Sequence, residues 1–124
     1  MGEEAQAKAG QTTEDIAQFR AWTGANGRLI GIDAGTKTLG LALSDVTRMI
    51  ASPLETIDRT KFSADADRLF TLCATHVCAG LVLGMPRNLD GSEGPRAQAT
   101  RALARNLNRL SALPILLWDE RLTT

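Results

Sequence analysis

The stretch that decides the fold runs Leu29-Ile30-Gly31-Ile32-Asp33-Ala34-Gly35-Thr36-Lys37-Thr38-Leu39-Gly40-Leu41-Ala42-Leu43-Ser44. Two apolar runs flank a short turn-forming segment, 34–38, and the first run ends on a carboxylate, Asp33. A link this short joins antiparallel neighbours, because parallel strands need a crossover of a dozen residues or more. Asp45-Val46-Thr47-Arg48 turns the chain again, and 49–57 reads as a third strand in which Pro53 marks an edge or a bulge.

Downstream the pattern changes period. From 61 to 75 the residues Ala66, Leu69, Phe70 and Cys73 fall on one side of a helix, with charges opposite. The run Ala79-Gly80-Leu81-Val82-Leu83-Gly84 is continuously apolar, as a central strand buried on both faces would be. Residues 85–94 form a turn-rich loop, and Pro95 suits the first turn of a helix reaching about Leu110. Ala99, Ala102, Leu103, Asn106, Leu107 and Leu110 are expected on its inner side. Pro114 restarts the chain as a last strand, 115–118, followed by Asp119-Glu120. Three hairpin-linked strands followed by helix, strand, helix, strand predict an α/β fold. Its sheet is mixed, with helices packed on the faces.

The chain of 124 residues has room for one domain. Residues 1–27 read as a flexible N-terminal extension with one short helix over 13–22, capped by Thr13, on which Ile16, Phe19 and Trp22 recur at helical spacing. The opening MGEEAQAKAG lacks the basic and apolar segments of a secretory signal, and Gln6 spoils a myristoylation site. No apolar run approaches the ~18 residues of a membrane span, so the expectation is a cytoplasmic protein that does not engage a membrane. Fourteen basic and fourteen acidic residues balance, so attraction to a polyanion has to come from a local surface. Cys73, His76 and Cys78 in CATHVC offer at most three soft ligands where structural zinc takes four, and read as core thiols.

Two strand ends carry acids, Asp33 and Asp119-Glu120. In open α/β sheets ligands gather at the carboxyl ends of strands. Carboxylates brought together there repel unless a cation lies between them, and hard oxygen donors suit Mg²⁺ or Mn²⁺. The competing reading is that Asp33 merely ends a strand and Glu120 pairs with Arg121.

The segments GIDAGTKTLGLALSD, GMPRNLDGSEGPRAQATRALARNL and LWDERLTT, in this order and separation, resemble the signature segments of the YqgF (RuvX) family over residues 28–124. The resemblance implies a ribonuclease H-like fold related to Holliday-junction resolvases. It also implies a metal-dependent nuclease that trims the 5′ end of precursor 16S ribosomal RNA in ribosome biogenesis. Asp33 matches the family's first catalytic aspartate, and Asp119-Glu120 its later acidic pair. Glu120 is the expected metal ligand beside Asp33, with Asp119 the substitute, since alternation lets one of the pair face the site. The family pattern adds an aspartate on a helix beyond LWDERLTT. With Thr124 the last residue, the domain is expected to be C-terminally incomplete and to lack that helix, exposing apolar surface.

For the substrate, the sequence offers Lys37, Arg87, Asn88, Arg96 and Arg121 as nucleic-acid contacts. The 34–38 turn could hold a phosphate through its N–H groups, or be a hairpin whose Gly35 takes a positive φ. The helix start at Pro95-Arg96 favours phosphate, while Arg101, Arg105 and Arg109 form a basic stripe that reads as a solvated face. The expected partner is precursor rRNA or branched DNA, acting with Mg²⁺ or Mn²⁺, on a monomer or dimer. Rival readings are a DNA resolvase, an inactive nucleic-acid-binding module, and an ATPase or sugar kinase of actin-like fold, whose first phosphate loop GIDAGTKTLG also resembles.

Overall fold

The computed structural model describes residues 10–123. The elements are β1 (Thr12–Thr13), α1 (Ile16–Thr23), β2 (Arg28–Ala34), β3 (Thr38–Ser44), β4 (Ala51–Asp58), α2 (Phe62–Thr75), β5 (Cys78–Met85), α3 (Pro95–Asn108) and β6 (Ile115–Asp119). A 3-10 turn, Glu120–Thr123, follows β6. The strands make one sheet in the order β1-β6-β5-β2-β3-β4. Pairings β2–β3 and β3–β4 are antiparallel, whereas β2–β5, β5–β6 and β1–β6 are parallel. The mixed sheet expected from the hairpins and crossovers is the one formed.

Alternation along the strands sorts the sheet into two unequal faces. Ile30 and Ile32, Leu39 and Leu41, Leu81, Leu83 and Met85, and Ile115 and Leu117 are buried and form one cluster. From α2, Leu69, Leu72 and Cys73 join it, and from α3, Ala97, Leu103, Ala104 and Leu107. These positions are two apart in the strands, so their neighbours Gly31, Asp33, Val82, Gly84 and Trp118 belong to the opposite face. The inner side of α3 is rotated from the one expected. Ala97, Thr100, Leu103, Ala104 and Leu107 are buried, whereas Ala99 and Leu110 are exposed. Ala97 and Ala104 seat the helix close to the sheet; reading the stripe from the leucines had displaced it.

In the described part of the stretch read as an extension, the expected short helix forms as α1 and a strand, β1, precedes it. β1 runs beside β6, with Thr12 level with Ile115, and the Ile115 amide donates to the Gln11 carbonyl at 2.8 Å. Asp15, rather than Thr13, caps α1, its Oδ1 accepting from the Ala17 amide at 2.9 Å. Phe19 is buried against Gly80, where an added Cβ would lie 2.9 Å from the ring. Burial of such a ring is worth about 1.5–3 kcal/mol, enough to hold a short helix to the second face. Residues 1–9 of that expected extension, Gln6 among them, lie outside the described residues.

β4 is the sheet's edge, and the register shift opposite Leu41 and Ala42 leaves an extra residue between Glu55 and Pro53. Both meanings offered by the proline, edge and bulge, apply at once. No helix of the described residues is long and apolar enough to cross a membrane.

Candidate metal and nucleic-acid site

β2, β5 and β6 run parallel, so their carboxyl ends meet on one rim of the sheet. Asp33, next to last in β2, follows the Ile32–Leu83 pair and so stands level with Gly84, which pairs with Trp118. The two acid-bearing strands, β2 and β6, do not adjoin, because β5 lies between them. What closes the gap is the glycine on β5. A Cβ built on Gly84 would lie 2.2 Å from Glu120 Oε2 and 3.0 Å from its Cδ, so the Glu120 carboxylate rests directly over that residue. On the other side of Asp33, Gly40 would place a Cβ 3.8 Å from the Asp33 Cβ.

Asp33 and Glu120 thereby line the same open trough of about 640 Å³, floored by Gly31, Gly40, Val82 and Gly84. Asp33 is exposed and Glu120 half-buried. Asp119, the other half of the acidic pair, is turned elsewhere. Its carboxylate accepts from Arg121 at 2.6 Å and lies 3.4 Å from Arg87. Arg121, then Arg87, holds that carboxyl well below the usual range. The strand ends at Asp119, and the 3-10 turn beginning at Glu120 completes the separation.

The five residues read as substrate contacts, four cations and Asn88, divide by how they are occupied. Arg87 is the most committed. Its guanidinium meets Glu14 at 2.5 Å and Glu93 at 3.1 Å besides Asp119, and its side chain is only 10% exposed. Arg101, from the expected solvated stripe, closes the same network onto Glu93 at 2.6 Å and Glu14 at 2.8 Å. Arg101, then Arg87, pulls the Glu93 carboxyl down to about 2. Arg121 pairs with Asp119 and donates to the Leu89 carbonyl at 3.3 Å. Asn88 folds its own loop, donating to Ser92 Oγ at 3.0 Å.

Lys37 and Arg96 present charge to solvent. Arg96 donates to the Ala34 carbonyl at 2.9 Å, just past Asp33. Arg59, which the sequence reading passed over, does the same to the Gly35 carbonyl at 2.6 Å. Its position after β4, 22 residues beyond Lys37, gave no local signal. Gly84 was missed as well; a glycine closing a strand beside an acidic pair was the available clue. Gly35 itself does not take the positive φ expected of it. Its amide donates to the Thr38 carbonyl at 2.8 Å, and a Cβ there would come within 3.2 Å of that oxygen.

The donor set of the trough is hard oxygen, which fits Mg²⁺ or Mn²⁺ and not a thiophilic ion. Among the described residues no group of three or more His, Cys, Asp or Glu converges to hold an ion, at the trough or at CATHVC. Asp33 and Glu120 are the residues that would hold one here. The Cys73 thiol is buried and pushed up to about 12 by that burial, which leaves it unreactive as a thiolate.

The family model described as RuvX, Holliday junction resolvase, matches residues 27–124. A Paracoccus denitrificans protein named "Putative pre-16S rRNA nuclease" is 56% identical over 111 residues, covering 90% of this chain and 70% of the relative. Its namesake in Cereibacter sphaeroides is 58% identical over 111 residues, covering 90% and 69%. That of Rhodopseudomonas palustris strain TIE-1 is 61% identical over 98 residues, covering 79% of this chain and 61% of its own length. Among solved structures, T. thermophilus RuvC in complex with Holliday junction substrate superposes with a TM-score of 0.56 at 14% identity, over 77% of this chain and 66% of that one. At that identity the likeness shows the shared ribonuclease H-like fold. From the family match and the relatives together, the chain belongs to the RuvX family.

Proposed function

We propose that this chain is the core of a metal-dependent nuclease that processes the 5′ end of precursor 16S rRNA. The single observation that supports the reading is the placement of Asp33 and Glu120 in one open trough, across a glycine that makes the approach possible. The names of the RuvX relatives supply the substrate class. A divalent cation bound there supplies polarisation of the phosphodiester and a more acidic water. Asp33 and Glu120 hold it through their carboxylate oxygens. Asp119 stays charged against Arg121 and Arg87, which keeps it out of the trough and fixes the turn on which Glu120 sits. Lys37 and Arg96 are exposed on the segments after β2 and at the start of α3 and are the cations available to a sugar-phosphate chain, whereas Arg121 is engaged by Asp119. Arg87 serves the loop more than the substrate, since three carboxylates already surround it.

The test is cleavage of a 5′-extended 16S rRNA fragment by the chain in Mg²⁺ and in Mn²⁺, with a branched DNA as the second substrate. Asp33→Asn is expected to lower the rate by more than the 10- to 100-fold typical of losing an outer-shell partner of a metal site. Undiminished cutting by that variant overturns the assignment. One observation favours a second reading. Of the three acidic residues that line the trough, Glu55 is paired with Arg68 at 2.6 Å, so Asp33 and Glu120 are the two offered to an ion, and a non-catalytic RNA-binding module would need neither. RNA binding that is insensitive to both Asp33→Asn and Glu120→Gln, with no cleavage in either metal, decides for it.

A further inference from the structure

The cations around the rim of the strand ends fall into two classes. Arg87, Arg101 and Arg121 are neutralised by Glu14, Glu93 and Asp119, and Arg68 by Glu55. Arg59 and Arg96 are held differently. Each is pinned through one N–H to a backbone carbonyl, Gly35 for Arg59 and Ala34 for Arg96, and neither meets a carboxylate among the described residues. The two acceptors are consecutive residues of the turn that follows Asp33. Both arginines, with Thr36, Thr100 and the residues whose carbonyls they bond, Ala34 and Gly35, line one cavity of about 70 Å³. A guanidinium has five N–H donors in a planar fork, so one bond to a carbonyl fixes its direction and leaves the rest for an anion. Two such groups side by side, arriving from β4's end and from the start of α3, repel one another unless a negative charge joins them.

We propose that Arg59 and Arg96 form a phosphate-binding subsite for a backbone phosphate next to the scissile one, with Lys37 and the Thr36 hydroxyl at its margin. The proposal deepens the nuclease reading and rests on a sugar-phosphate chain being the substrate. The anchoring carbonyls belong to the chain segment that carries Asp33, so a phosphate gripped here sets the register of the strand against the carboxylates. The paired arginines of the Glu14–Glu93 network are poorer candidates, because carboxylates already neutralise them.

Binding is measured in the Asp33→Asn background, where the strand stays whole, using a short fluorescein-labelled single-stranded RNA over a range of salt. Arg59→Ala and Arg96→Ala are each expected to weaken binding about tenfold, as the loss of a charge-assisted contact does. Each should also lower the slope of log Kd against log salt by about one. Arg59→Lys and Arg96→Lys should keep the slope and recover part of the affinity, since charge is retained while the fork is lost. Arg109→Ala, at the far end of α3, should change neither. Circular dichroism establishes that each variant is folded. An affinity and slope equal to the parent's in the folded alanine variants overturns the subsite, and so does a fall in kcat, measured for the same variants with Asp33 intact, with Kd untouched, which would make the arginines struts for the turn. The cleavage reading is tested separately with Asp33 intact: an uncut RNA whose binding still depends on Arg59 and Arg96 removes the nuclease and keeps the subsite.

Discussion

Gly84 sits where a single methyl group is forbidden by the carboxylate above it. The atom that Gly84→Ala would strike is the far end of a flexible side chain, so the protein should fold with a nearly unchanged melting temperature while the Glu120 carboxylate is pushed aside. Cleavage should fall at least about tenfold, and the Mn²⁺ concentration for half-maximal rate should rise, a split that a steady-state titration reads directly. Normal Mn²⁺ dependence in that variant would detach Glu120 from the metal. Glu93 makes a second prediction at this scale. Its carboxyl is held down to about 2, against an ordinary 4.5, by Arg101 and Arg87, and Glu14 and Asp119 are lowered by the same arginines and Arg121. The folded chain therefore keeps these groups charged where the unfolded chain takes up protons. Their stabilisation is complete above the ordinary carboxylate values and is lost as pH falls from about 4.5 toward 2. Thermal midpoints across that window should drop steeply for the parent and less steeply for Glu93→Gln.

At the level of elements, the joint between α2 and β5 is made by an unsuitable residue. Val77 has φ 54° and is 82% exposed, its amide donating to the Ala74 carbonyl at 3.2 Å. A left-handed conformation costs a residue with a Cβ roughly 1–2 kcal/mol, whereas glycine's extra freedom in the unfolded chain costs about 0.4–1 kcal/mol. The first term is larger, so Val77→Gly should stabilise by roughly 0.5–1 kcal/mol, visible as a higher urea midpoint at constant slope. The hairpins and both long helices were legible in the sequence, because a turn of four or five residues and an apolar stripe are local facts. The face of α3 was not, since Ala97 and Ala104 bury for lack of bulk and leave no apolar signal. The cap of α1 moved from Thr13 to Asp15 for a similar reason: Thr13 is drawn into β1 by its register with Leu116.

For the whole molecule, charge balance hides an uneven surface. Fourteen cations and fourteen anions cancel, yet the rim at the strand ends sorts them into a neutralised network and a free pair of arginines. The network also ties distant parts of the chain, since Glu14 reaches Arg87 and Arg101 from the segment ahead of the family match. Deleting residues 1–26 uncovers the β6 edge and the site of Phe19 on Gly80 together. That truncation should lower stability by about 1.5–3 kcal/mol in urea denaturation, from the ring's burial alone, and should favour association through the exposed edge. A truncated chain as stable as the parent would show that β1 and α1 contribute nothing to the sheet.

The sequence by itself determined the alternation of hairpins and crossovers, the carboxylates at two strand ends and the family to which the chain belongs, because each is written in contiguous residues. Tertiary structure alone decided which acid enters the trough, which arginines are already spent, and that Arg59 stands beside Arg96. Those outcomes depend on sheet order and on which groups reach one another first, and a pairwise electrostatic contact between residues dozens of positions apart leaves no periodicity to read.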